Sequence, residues 1–95
     1  MNNKILVEVV VPVLEENYDV FIPVNKKIGN IVGLLTKVVS ELSLGYFQNN
    51  NSICLYNGIT GEVYPMDVLV RNTDIRNGSK IILMWGKLWQ IQVIF

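Results

Sequence analysis

Apolar and polar positions alternate along residues 4–13: Ile5, Val7, Val9, Val11 and Val13 share one face, and Lys4, Leu6, Glu8, Val10 and Pro12 share the other. A period of two predicts a strand with one fully apolar face. A turn around Glu15-Glu16-Asn17 leads into a second run, in which Tyr18, Val20 and Ile22 lie together and Pro23 ends the strand. The two runs make an amino-terminal hairpin. From Lys26 to about Leu44 the period lengthens, and Ile28, Ile31, Val32, Leu35, Val38, Val39 and Leu42 recur at three- and four-residue spacing. That stripe predicts a helix packed across a sheet. Lys26 and Lys27 near its start and Glu41 near its end oppose the helix dipole, so the helix is expected to depend on tertiary packing. Gly29 and Gly33, four apart, are expected to allow tight packing on that sheet.

The polar stretch Gln48-Asn49-Asn50-Asn51-Ser52 predicts a loop. Beyond it, Ile53-Cys54-Leu55-Tyr56 predicts a strand, Asn57-Gly58 a turn, and Glu62-Val63-Tyr64 a short strand closed by Pro65. Residues 67–76 are irregular, with Val68 or Leu69 and Ile75 as expected core anchors. Asn77-Gly78 then turns the chain into Lys80-Ile81-Ile82-Leu83-Met84-Trp85, whose continuous apolar character suits a central strand. The predicted order is β-β-α-β-β-β. A right-handed crossover through the helix places the first and last main strands side by side and parallel. The expected fold class is therefore α+β, a β-grasp with a mixed sheet of about five strands and one crossing helix.

Composition narrows the chemistry. The chain has 95 residues, half of them hydrophobic, with eight basic and eight acidic side chains, one cysteine and no histidine. A zero net charge lacks the footprint of a nucleic-acid binder. The absence of histidine removes the commonest general base, histidine-containing zinc sites, and Ser-His or Cys-His nucleophile pairs. Cys54 falls in a predicted strand without a basic neighbour and is expected to act as a small hydrophobe. Glu15, Glu16, Asp67 and Asp74 sit in turns or irregular segments and read as solvated or turn-capping groups. No cofactor, metal or catalytic residue is expected, and the chain reads as non-enzymatic. The apolar run at residues 5–11 is too short and interrupted for a signal peptide or membrane span, so a reducing cytoplasm without direct membrane insertion is expected.

Three stretches carry a family resemblance. Tyr18-Asp19-Val20-Phe21-Ile22-Pro23, followed by Ile28-Gly29-Asn30-Ile31-Val32, resembles the second strand and helix entry of the small bacterial ubiquitin-like proteins of the YukD/EsaB family. Ile75-Arg76-Asn77-Gly78-Ser79-Lys80-Ile81-Ile82-Leu83 is similar to the turn and final strand found across ubiquitin-like domains. The resemblance spans residues 4–85 and implies an accessory or regulatory protein of a Gram-positive type VII (Ess/Yuk) secretion system, with that system's membrane components as partners. It also implies no conjugation: that chemistry needs a terminal diglycine, and this sequence closes on Gln92-Val93-Ile94-Phe95. The alternative is a self-associating adaptor with no secretion role.

Two candidate interaction surfaces follow. If the odd face of the first strand meets the helix, Leu6, Val10, Phe21, Ile82 and Met84 lie on the far side of the sheet. The second surface departs from the family pattern: residues 86–95 extend a domain expected to occupy 1–85. Within that extension Trp89, Ile91, Val93 and Phe95 alternate with Gln90 and Gln92, which predicts a half-buried strand. It can cover the chain's own sheet, pair with a second copy to make a homodimer, or dock on a different protein.

Overall fold

The alternation at the amino terminus produces a hairpin. In a computed structural model, which describes residues 3–45, 47 and 53–86, β1 spans Lys4–Val11 and β2 spans Glu16–Pro23. They pair antiparallel in a register that sets Val7 opposite Val20 and Leu6 opposite Phe21. β1 is shorter than the sequence pattern suggests. Pro12 cannot donate to a ladder, and it starts a 3-10 turn over Pro12–Leu14 that leaves Val13 exposed. Glu15 closes this turn in the left-handed region at φ 54°, its N–H donating to the Pro12 carbonyl.

The helix α1 runs from Ile28 to Leu42, and its N-cap residue, Lys27, supplies no side-chain cap. Chain from elsewhere satisfies the first turn instead. Ile28 N–H donates to the Val68 carbonyl at 2.9 Å, and Gly29 N–H to the Met66 carbonyl at 2.8 Å. Gly29 thus serves this crossing rather than packing on the sheet: a Cβ there would lie 3.3 Å from the Met66 carbonyl oxygen. Gly33 faces open space, and the expectation of close packing fails for it. Ile28, Ile31, Val32, Leu35 and Val39 are buried as the stripe predicts, whereas Val38 is half-buried and Leu42 exposed. Thr36 is buried too, which its polarity did not suggest; its hydroxyl donates to the Val32 carbonyl at 2.7 Å within the helix.

β3 (Ile53–Asn57) and β4 (Lys80–Trp85) complete a four-stranded sheet in the order β2-β1-β4-β3. β4 is central, as its apolar run predicted. It pairs antiparallel with β3 and parallel with β1 through Glu8–Lys80, Val9–Ile81 and Val10–Ile82. The expected short strand at residues 62–64 forms only a bridge, Tyr56 to Val63, along the outer side of β3. One residue pair is too little for a strand, so the described residues form four strands of a mixed sheet expected to have about five. Before β4 begins, the turn at 75–79 docks on β1: Gly78 N–H donates to the Leu6 carbonyl, and Leu6 N–H to the Asn77 side-chain oxygen. Gly78 takes φ 91°, which a glycine adopts at no steric cost.

The core lies between the sheet and α1. Val7, Val9, Val11 and Ile22 enter it from the hairpin, Leu55, Ile81 and Leu83 from the other two strands, and Phe47 from the stretch that follows the helix. In the irregular segment the anchors are Val70 and Ile75. Val68 and Leu69 are only half-buried, because a 3-10 turn over Val70–Asn72 rotates Val70 inward instead.

Candidate interaction surface

Since Val7, Val9 and Val11 face the helix, the even positions of β1 face away from it, and the strand registers carry that assignment across the sheet. Val10 pairs with Ile82, Ile82 with Tyr56, and Met84 with Cys54. These five residues form one contiguous apolar group on the far face. Leu6 and Phe21 pair with each other and form a second group. Between the groups runs a polar row made by the pairs Asp19–Glu8 and Glu8–Lys80. Asn17 reinforces it, its amide donating to the Glu8 carboxylate at 2.7 Å.

The two groups differ in accessibility. Phe21 is 62% exposed and Leu6 36%, so the pair at the hairpin is open to a partner. Val10, Ile82 and Cys54 are half-buried. Met84 and Tyr56 are 5% and 6% exposed. The expected surface thus has an open end at Phe21 and Leu6 and a largely enclosed end at Met84. Trp89, Ile91, Val93 and Phe95, the other candidate contact residues, lie outside the described residues, as does the expected homodimer strand.

Sequence patterning alone did not single out Tyr56 or the Asp19–Glu8–Lys80 row. Tyr56 could have been placed by alternation from Leu55; the row needed the cross-strand register. Burial, together with the neighbouring Cys54 thiol, pushes the Tyr56 phenol pKa up.

A concavity beside β3 is lined by Glu8, Asn57, Tyr64, Asp74 and Lys80 among others. Asp74 ties it together, accepting from the Tyr64 hydroxyl at 2.7 Å and from the Asn57 amide at 3.1 Å. The Asn57 side-chain oxygen in turn accepts from the N–H groups of Ile59 and Thr60, so the cluster fixes the loop that follows β3. This is loop-closing work: Asp74, read as solvated or turn-capping, is exposed and accepts from side chains 10 and 17 residues away, while Asn57 caps the turn. Among the described residues, no group of three or more His, Cys, Asp or Glu is placed to hold a metal ion.

Burial, then the Asp74 hydrogen bond, raise the Tyr64 pKa well above its ordinary value. Above pH ~10 the unfolded chain releases this proton while the native phenol keeps it, so stability falls as pH rises there. Tyr64→Phe is expected to cost less than about 1 kcal/mol at neutral pH, the bond being exposed, and to flatten the alkaline decline. Urea midpoints between pH 8 and 11 read both; an unchanged alkaline slope contradicts the assignment.

Among the described residues, a four-stranded mixed sheet with a parallel central pair and one crossing helix gives the chain a ubiquitin-like β-grasp fold. No family model and no curated protein matches the chain. Solved structures do match. The EccD5 ubiquitin-like domain from Mycobacterium xenopi superposes with a TM-score of 0.73 at 14% identity, covering 88% of this chain and 96% of that one. A chain of a MycP5-free ESX-5 inner membrane complex gives a TM-score of 0.73 at 16% identity, where 88% of this chain spans 21% of the larger one. A ubiquitin-like domain of an Arabidopsis thaliana protein gives 0.66 at 15% identity, covering 88% of this chain and 79% of that one. At such identities the likeness defines the fold. Among the described residues, no helix is long and apolar enough to cross a membrane.

Proposed function

We propose that the chain is a non-enzymatic protein-interaction module that docks on a component of a type VII secretion inner membrane complex through the sheet face turned away from the helix. The observation that carries the reading is the open apolar pair, Leu6 and Phe21, next to the Asp19–Glu8–Lys80 row. An exposed aromatic beside charged groups offers a partner both burial and register. The secretion setting is supported by the superposition on the EccD5 ubiquitin-like domain and on a chain of the ESX-5 complex, and by the resemblance of residues 18–32 and 75–83 to the YukD/EsaB family. In this reading the protein works in the cytoplasm and reaches the membrane through its partner.

The test is co-purification of the full chain with a detergent-solubilised type VII inner membrane complex. The expected result is retention of the wild-type protein and at least tenfold weaker retention of Phe21→Glu, roughly the loss of one buried aromatic anchor. Phe21 is exposed, so the variant should keep the wild-type unfolding midpoint. No retention of the wild type rejects the secretion assignment; equal retention of Phe21→Glu rejects this face.

A further inference from the structure

The helix carries more apolar surface than the sheet covers. At about 100° per residue, Leu34, Val38 and Leu42 form a row directly beside the buried row of Ile31, Leu35 and Val39. Leu34 is 50% exposed and Leu42 58%, with Val38 half-buried between them. The opposite flank is unlike it. That side carries Gly29, Gly33, Thr36 and Ser40, and its start is closed by the Met66 carbonyl. A helix whose apolar arc runs past its sheet contact on one side has a second surface to satisfy.

Charge placement along the open flank suits a second copy of the chain. Lys37 and Glu41, both exposed, border the row on its solvent side. They lie symmetrically about Val39, while the apolar row is symmetric about Val38. An antiparallel copy of the same helix, related by a two-fold axis near these two residues, therefore sets Leu34 against Leu42 of the partner subunit and Lys37 beside Glu41 of the partner subunit. Symmetry repeats both contacts at the other end. Antiparallel helix dipoles favour this arrangement, and a chain of zero net charge meets no overall repulsion from its copy.

We propose that this flank of α1 is a self-recognition surface, on which two copies of the chain pair through antiparallel helices. The inference goes beyond the docking reading and uses a different face of the molecule. A 15-residue helix is about 22 Å long, and a strip of that length buries on the order of 400 Å² per copy. This is about half the usual amount for a stable complex, so the pairing is weak and concentration-dependent.

Sedimentation equilibrium of the full chain from about 10 μM to 1 mM tests it. The wild type should pass from monomer to dimer. Leu34→Asp and Leu42→Asp, each at an exposed position, should weaken the dimer at least tenfold. K37E and E41K should each weaken it about fivefold by facing like charges across the two-fold, and the double variant K37E/E41K, which restores the complement, should return to within about twofold of wild type. Circular dichroism reports whether each variant folds, and the charge exchange does not depend on the apolar variants. Phe21→Glu should dimerise as the wild type does, which separates this surface from the sheet face. A wild type that stays monomeric, a dimer indifferent to both leucine changes, or a double variant as weak as the singles overturns the proposal.

Discussion

Replacing Gly58 with alanine should lower the unfolding free energy by about 3 kcal/mol, at the upper end of what an inserted methyl group costs a packed interior. A Cβ at this position would lie 2.5 Å from both the Lys80 carbonyl oxygen and its Cγ, and 2.8 Å from the carbonyl carbon. The Lys80 side chain can swing aside. Its carbonyl cannot, because Lys80 belongs to the central strand and is paired with Glu8 on one side. Nor can Gly58 retreat without giving up the 2.8 Å hydrogen bond from its N–H to that same carbonyl. The glycine is therefore required for space rather than for backbone conformation; in this loop the positive φ falls on Gly61, at 79°. Because Lys80 ends the polar row on the far face, the strain reaches the proposed docking surface as well. Thermal unfolding should show Tm lower by on the order of 10–20 °C in a domain of this size. A loss below about 1 kcal/mol would mean that the two strands separate easily at this point.

Phe47→Ala should be comparably damaging, at about 3–4 kcal/mol. The ring is fully buried and lies 5.3 Å, centroid to centroid and tilted by 34°, from Trp85 at the end of β4. Its N–H donates to the Ser43 hydroxyl at 3.1 Å, so both ends of the residue tie the stretch after the helix to the core. Truncation leaves a ring-sized void beside an indole. Phe47→Leu, which fills most of the space, should cost only about 1–1.5 kcal/mol. Urea unfolding measures both, and near-UV circular dichroism should lose intensity in the alanine variant as Trp85 loses its packed neighbour. Equal stabilities for Ala and Leu would show that the contact contributes little.

Period decided most of what the sequence made legible. The alternation of Val7, Val9 and Val11 and the spacing of Ile28, Ile31, Leu35 and Val39 gave the hairpin, the helix and their facing sides, and the unbroken run at residues 81–85 marked the central strand. Features set by distant chain were hidden. Phe47 stands next to an asparagine-rich loop, and nothing local shows that its ring turns back onto Trp85. Choosing Val70 over Val68 depends on a 3-10 turn three residues long, too short to leave a period. Leu42 continues the apolar spacing yet is exposed, a pattern that periodicity cannot distinguish from core. The candidate surface divides in the same way. Alternation places Leu6, Val10, Phe21, Ile82 and Met84 on one face. Only the registers show that Glu8 and Lys80 split them, and that Met84 is enclosed while Phe21 is open.

The crossing of residues 66–68 over the start of α1 has a kinetic side. The helix lacks a side-chain cap, opens near two lysines, and donates two of its first N–H groups to carbonyls roughly 40 residues further along the chain. Its first turn therefore gains these bonds only once the later part of the chain has arrived. Helix and sheet should then form together, the amino-terminal turn of α1 being among the last parts to acquire its native bonds and among the first to exchange its amide hydrogens when the 66–68 segment lifts away.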